Sequence, residues 1–305
     1  MSRAVVFGII GIVLFVLVDI ALVLLLVGRP HPSTSPIGPA PTPIIARPSG
    51  TPTPTLPPIK LAGRTRLLVP IDDNSAWRTS AASCGGTNVA VLEHTDDGGA
   101  TWIAHPLEDP KLTAVLAIAR YDNAKNVGAL TADRGCQTHY QLSFSSGRFW
   151  KDSPPDQPPT LVYPAKSGTA ITSGSGTLTT PCTTVGAYAL LSATDSAVIC
   201  QDAQLHLSFD AGATWQAPAV APAVAVLSTA KGYLLAAPNA DHCAGLEIES
   251  VRLPDSVSSP LSCLPQLTGA ADGTVLASSP GRIWLWAGDS VLLSSDGGAT
   301  WMAGH

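Results

Sequence analysis

The sequence predicts an all-β domain over residues 64–305, and two observations carry that prediction. Beyond residue 64 the apolar residues fall in short runs broken by Gly, Asp, Asn and Pro: RLLVPI, NVAVLEH, AVLAIARY, HYQLSFS, YALLSA, LHLSFD, YLLAAP, RIWLWA and VLLSSD. Runs of this length bounded by turn residues read as strands, and no long amphipathic helical pattern interrupts them. The second observation is an eight-residue string that recurs. It reads TDDGGATW at 95–102, SFDAGATW at 208–215 and SSDGGATW at 294–301, with an altered copy, SFSSGRFW, at 143–150.

The copies set a period. Their starts at 95, 143, 208 and 294 are separated by 48, 65 and 86 residues, and about 40–50 residues is the length of one blade of a β-propeller. The longest gap has room for a blade that lacks the string, over 221–268. A weaker echo precedes each copy: DDNSAWRT, YDNAKNVGAL, ATDSAVIC and PGRIWLWA, with AKGYLLAA in the gap. This spacing predicts a β-propeller of four-stranded blades. There are five blades, or six if the segment 156–185 is an eroded blade rather than a long insertion.

Two segments precede the repeats. Residues 4–28 hold one ionisable side chain, Asp19; as a helix they would be ~37 Å long, enough to cross a hydrocarbon layer of ~30 Å. The exit LLLVGRP lacks the small-residue cleavage site of a signal peptide, so the reading is an uncleaved transmembrane anchor, with residues 1–3 as a cytoplasmic tip. A carboxylate near the middle of such a helix costs ~2.5–3.5 kcal/mol on insertion scales. Asp19 is either tolerated there or contacts another membrane helix. Residues 29–63 are rich in Pro, Ser and Thr, and eleven of the 27 prolines lie within 30–58. Such a segment cannot bury a core, and as extended polyproline its reach is on the order of 90 Å. It reads as a disordered stalk.

Charge excludes one class of partner. The formal net charge is −5 and charged residues make up 13% of the 305, whereas nucleic-acid binding needs a clustered basic surface. All six cysteines, Cys84, Cys136, Cys182, Cys200, Cys243 and Cys263, follow the apolar span. An even set suits an oxidising compartment, which places the domain outside the cytoplasm. Measured from Trp102, Trp150 and Trp215, Cys84, Cys136 and Cys200 lie 18, 14 and 15 residues upstream, between the second and third strands of their blades. The sequential pairing Cys84–Cys136, Cys182–Cys200 and Cys243–Cys263 is preferred among the possible ones. A zinc site near His139 and His242 is the alternative, but no CxxC spacing supports it.

The recurring string resembles the Asp box, or BNR repeat, S/T-x-D-x-G-x-T-W, of sialidases, sortilin-type receptors and a photosystem II assembly factor family. Three copies match every specified position: Thr95, Asp97, Gly99, Thr101 and Trp102; Ser208, Asp210, Gly212, Thr214 and Trp215; Ser294, Asp296, Gly298, Thr300 and Trp301. The fourth keeps Ser143, Gly147 and Trp150 but has Ser145 and Phe149 where Asp and Thr belong. The resemblance implies a hairpin between the third and fourth strands of a blade, on the rim away from a binding face, in a membrane-anchored bacterial member of the group. The residue chemistry agrees: a short carboxylate accepts amides of its own turn, glycine takes backbone angles others resist, and Trp fills the space between sheets.

The same resemblance raises sialidase activity, which implies three arginines, a Tyr–Glu pair and an F/Y-R-I-P motif. GRIW at 281–284 is the nearest string and lacks both ends. Glycoside hydrolysis needs paired carboxylates or a Tyr substitute, and spacing identifies no such pair. No catalytic residue, cofactor or metal is therefore assigned. The expected function is a non-catalytic scaffold, assembly or binding module at the cell envelope, whose partner is an envelope or membrane protein or a glycan. A glycoside hydrolase or a glycan-binding module is the alternative. The polar loops beside the cysteines, with Asp133, Arg134 and His139 and then Asp241 and His242, are the binding candidates.

Overall fold

The computed structural model describes residues 66–80, 85–120, 126–153, 161–165, 168–173, 176–238, 240, 243–267 and 273–304. Asp19, Cys84, Asp241, His242, the apolar span and the stalk lie outside them. Among the described residues no helix is long and apolar enough to cross a membrane. The regular elements are strands, arranged as six antiparallel sheets in chain order.

Sheet one holds β1 (Arg66–Pro70), β2 (Ala76–Ser80), β3 (Val91–Thr95) and β4 (Ile103–Pro106). Sheet two holds β5 (Leu112–Arg120), β6 (Val127–Asp133), β7 (Thr138–Ser143) and β8 (Lys151–Asp152). Sheet three holds β9 (Tyr163–Pro164), β10 (Ala170–Ser173) and β11 (Gly176–Thr179), and sheet four holds β12 (Val185–Leu190), β13 (Ser196–Cys200) and β14 (Leu205–Ser208). Sheet five holds β15 (Ala225–Thr229), β16 (Gly232–Pro238), β17 (Leu246–Arg252) and β18 (Val257–Leu264). Sheet six holds β19 (Val275–Ser278), β20 (Ile283–Ala287), β21 (Ser290–Ser294) and β22 (Met302–Ala303).

The sheets close into a ring. The leading strands touch side by side, β5 on β1, β1 on β19, β19 on β15 and β15 on β12. Buried apolar clusters fill the six interfaces between successive sheets. The chain is a six-bladed β-propeller whose core lies between blades, where each sheet buries both faces. The count settles on six because 156–185 contains sheet three, and the 221–268 gap contains sheet five. The expectation of four strands per blade holds for four sheets. In sheets three and four three strands are described, and the last strand of sheet four shrinks to a bridge between Leu207 and Gln216.

Sheets six and one share no strand, so side chains close the ring. Asp73 Oδ1 accepts the Ser279 hydroxyl at 2.6 Å and the Gly281 amide at 2.9 Å. Arg66 donates to the Gly288 carbonyl and lies 4.3 Å over the Trp286 ring. Arg78 sits 4.7 Å from Trp286 and 4.0 Å from Trp102, and its Nε donates to Glu93 at 2.7 Å. Cations against aromatic faces are each worth about 0.5–2 kcal/mol.

Strands alternate in direction, so the turn after each first strand shares an end of the ring with the hairpin after each third strand. The opposite end carries the cysteines. Cys182 pairs with Cys200 and Cys243 with Cys263, at Cα separations of 5.1 and 5.6 Å. Cys136 is also disulfide-bonded, and Cys84 lies outside the described residues.

Candidate functional site

Each of the four strings forms the hairpin after the third strand of its blade. In sheet one, Thr95 Oγ1 donates to Asp97 Oδ1 at 2.7 Å and accepts the Gly99 amide at 3.0 Å. Asp97 also accepts the Thr101 amide at 2.9 Å and the Thr101 hydroxyl at 2.5 Å. Ser208, Asp210, Gly212 and Thr214 repeat the pattern, with Ser208 to Asp210 at 2.9 Å and Thr214 Oγ1 to Asp210 at 2.6 Å. Ser294, Asp296, Gly298 and Thr300 repeat it again, at 2.8 and 2.6 Å. Hydrogen bonds from the Thr101 side chain and amide, then from Thr95, hold the Asp97 carboxyl down at about 2. Thr300 and Ser294 do the same for Asp296, also about 2, and the Asp210 carboxyl is lowered by Thr214.

Every hairpin also reaches back onto the preceding blade. A side-chain carbon on Gly99 would meet Val291 of sheet six, one on Gly147 would meet Trp77 and His105 of sheet one, and one on Gly212 would meet Leu178 of sheet three. One on Gly298 would meet Leu261 of sheet five. The tryptophans follow the same rule. Trp215 Nε1 donates to the Thr179 carbonyl at 3.2 Å, and Trp301 Nε1 donates to Ser262 Oγ at 3.0 Å. Trp102 packs in the cluster between sheets six and one, Trp150 in that between sheets one and two. The carboxylates of Asp97, Asp210 and Asp296 therefore close their own turns, and the turns lock neighbouring blades.

The expected polar loop is built in the same manner. Asp133, at the end of β6, accepts the amides of Gly135 at 2.8 Å and Gln137 at 2.9 Å through Oδ1, while Oδ2 lies 3.3 Å from His139 Nε2. Burial pushes its carboxyl up, but the Gln137 amide, His139 and the Gly135 amide outweigh it, and the net direction is down. Arg134 is exposed beside it. The three residues are adjacent, and Asp133 gives Oδ1 to the turn and Oδ2 to the His139 ring.

A cavity of about 580 Å³ opens at the axis, lined by β1, β12, β15 and β19 and the turn after β19. Its polar side chains are Tyr188, Ser228, Ser278 and Ser279; the Tyr188 hydroxyl donates to the Val162 carbonyl at 2.6 Å. None of the hairpin aspartates lines it. Among the described residues no cluster of three or more His, Cys, Asp or Glu could hold a metal ion.

Two features were not anticipated. Around Trp77 lie His94 at 4.5 Å, His105 at 5.3 Å and Trp150 at 6.3 Å between ring centroids. Burial lowers both histidines below the ordinary value; Asp96 and Asp72 oppose this for His94, while His94 reinforces it for His105. The second feature is the hairpin 143–150, which presents Phe144 and Phe149 at 60% and 71% exposure.

No protein-family model matches the sequence, and no curated protein is similar to it. Among solved structures, the chain is similar to PorZ of Porphyromonas gingivalis, a surface component of a type-IX secretion system. The TM-score is 0.45 at 11% identity, over 81% of this chain and 33% of PorZ. YCF48 from Cyanidioschyzon merolae gives 0.40 at 13%, over 82% and 87% of the two chains. The Aleuria aurantia lectin, solved with Fucα1-6GlcNAc, gives 0.49 at 10%, over 79% and 95%. These likenesses assign no role to any residue.

Proposed function

We propose that this chain is a membrane-anchored, extracytoplasmic Asp-box propeller that acts as a non-catalytic scaffold, assembly or binding module at the cell envelope. The observation that carries the reading is the use of the repeated carboxylates. Asp97, Asp210 and Asp296 accept hydrogen bonds from their own turns at the outer part of the ring, away from the cavity where a substrate would sit. The apolar span 4–28 and the disulfides support an anchored domain in an oxidising compartment. The partner is an envelope protein or a glycan, held by surface loops rather than by the shared fold.

The test uses the full chain in its native membrane. Expected are retention of the chain in alkali-washed membranes, protection of its cysteines from thiol reagents until reduction, and no turnover of fluorogenic glycosides. Hydrolysis of a sialoside that disappears on substituting arginines of one face would replace this reading with a glycosidase. A soluble chain with reactive thiols would remove the anchored, extracytoplasmic placement.

A further inference from the structure

The leading strand of each sheet pairs on one side only, with the second strand of its own sheet. Neighbouring leading strands touch, yet among the described residues no backbone hydrogen bond joins one to the next. In an antiparallel pair, alternate residues turn both amide and carbonyl away from the partner strand, and the turns show which ones. The Ile71 amide donates to the Ser75 carbonyl at 2.8 Å, so Val69 and Trp77 form the next hydrogen-bonded pair of β1 and β2. Leu68 and Pro70 then turn their backbone groups to the axis. The Ser279 amide donates to the Arg282 carbonyl at 2.9 Å, so Ala277 and Trp284 pair in the same way, which leaves Leu276 and Ser278 of β19 facing the axis. Pro70 checks the assignment, since proline in a sheet sits where its missing amide breaks no ladder bond.

All four of these residues line the axial cavity of about 580 Å³, a volume within the ~300–1,000 Å³ of ligand sites. Leu68 and Leu276 are buried, so their axis-facing amides and carbonyls have only the cavity to bond into, and buried backbone polar groups are almost always paired. The Ser228 and Ser278 hydroxyls add to this lining, and among its described residues no side chain is charged. Asp73 and Arg282 stand beside the mouth but bond to the seam, Asp73 to Ser279 and Gly281 and Arg282 to the Asp73 carbonyl at 3.1 Å. Neither lines the cavity. The mouth lies at the turn after β19, the end of the ring that carries the repeated hairpins. The resemblance to Asp-box proteins sets that end away from a binding face.

We propose that the axial cavity is a binding site for an uncharged, extended polypeptide segment, which pairs its backbone with these free strand edges. This rests on the binding-module reading and adds a site to it, apart from the surface loops. Leu276 and Ser278, two residues apart on one strand, present amide and carbonyl at intervals of about 6.6–7 Å. An extended polypeptide repeats its own donors and acceptors at the same interval, which is how a strand is added to a sheet edge. A saccharide is a poorer match, because the described lining has no carboxylate, carboxamide or guanidinium side chain to take two hydroxyls at once. A charge on the segment would be buried without a partner, at a large cost.

The experiment measures fluorescence anisotropy of a labelled hexapeptide of Ser, Val, Thr and Ala, capped at both ends, with the full chain in detergent. Empty micelles set the background. A second peptide carries methyl groups on alternate backbone nitrogens, and a third replaces a central Val by Lys. Expected is binding of the first, weakened at least about tenfold by backbone methylation and at least as much by the lysine. Ser228→Phe, which fills part of the cavity, should abolish binding. Ser278→Pro, which removes one axis-facing amide and no ladder bond, should weaken it a few-fold. The methylated peptide is tested on the natural chain, so its result stands even where a variant fails to fold. No binding of the first peptide, equal binding of the methylated one, or affinity untouched by Ser228→Phe overturns the site while leaving the binding-module reading standing. So does displacement of the peptide by a neutral trisaccharide that Ser228→Phe also excludes. Glycoside turnover would instead overturn the binding-module reading itself.

Discussion

The hairpins 294–301 and 143–150 occupy the same place in their blades, yet one spends an aspartate on the turn and the other does without. In the first, Asp296 accepts the Thr300 amide at 2.9 Å and its hydroxyl at 2.6 Å. In the second, a serine hydroxyl accepts a single amide. Both keep two successive residues at positive φ, Gly297 and Gly298 at 79° and 97°, Ser146 and Gly147 at 53° and 79°. The parts common to both are a hydroxyl, the second glycine and the tryptophan, and these suffice for the turn. The carboxylate reinforces a geometry that the other three already define.

The largest effect should come from the tryptophans. Trp150 is buried between sheets one and two, so Trp150→Ala should cost about 3–5 kcal/mol. Trp301 is partly buried and gains from its bonds to Ser262 and the Gly298 carbonyl; Trp301→Ala should cost less, roughly 2–3 kcal/mol. Guanidinium unfolding of the two variants gives the order. A larger loss from Trp301→Ala would mean that the hydrogen bonds, not burial, hold the hairpins down.

The two glycine positions of a hairpin should then separate. A side-chain carbon at Gly297 meets nothing within 4 Å, while one at Gly298 falls against Leu261 at 3.2 Å and Leu234 at 3.5 Å. The natural chain already places Ser146 and Ala211 at the first position, with φ of 53° and 57°. Gly297→Ala should therefore cost only the left-handed backbone penalty, about 1 kcal/mol, and Gly298→Ala should add the contact, reaching about 2–3 kcal/mol. Equal midpoints for the two variants would show that the blade contact at the second glycine is slack.

Much of this was legible in the sequence, because the string itself contains both the turn and its anchor. The echoes DDNSAWRT and PGRIWLWA proved to mark β2 and β20, second strands of their blades. What the string could not reveal is how a turn faces its neighbour: Gly147 meets Trp77 across 70 positions of sequence, and Arg66 meets Trp286 across 220. Asp133 shows the converse. A polar residue beside a turn reads the same whether it serves a ligand or its own amides, and only the folded turn displays its bonds to Gly135 and Gln137. Phe149 was visible as a departure from the repeat, but its exposure depends on which way the following strand turns Trp150.

The smallest effect, and the one that distinguishes the two hairpins in solution, is their response to acid. Burial holds His94 and His105, packed under hairpin 143–150, below the ordinary histidine value. As pH falls below about 6.5 the unfolded chain binds protons that these folded histidines refuse. Stability then declines by at most about 1.4 kcal/mol per pH unit for each residue. The Asp97 and Asp296 carboxyls, at about 2, behave differently in range though not in sign. Their contribution is complete above about pH 4 and is lost as pH falls through about 2. Unfolding midpoints measured from pH 7.5 to 2.5 should show a first decline that His94→Gln with His105→Gln flattens. A second decline, below about pH 4, should be one that Asp97→Ser or Asp296→Ser reduces and the histidine variants leave in place. If the histidine variants leave the upper decline unchanged, the ring cluster around Trp77 is open enough to accept protons without weakening the joint between blades one and two. The altered hairpin would then rest on Trp150 and Gly147 alone.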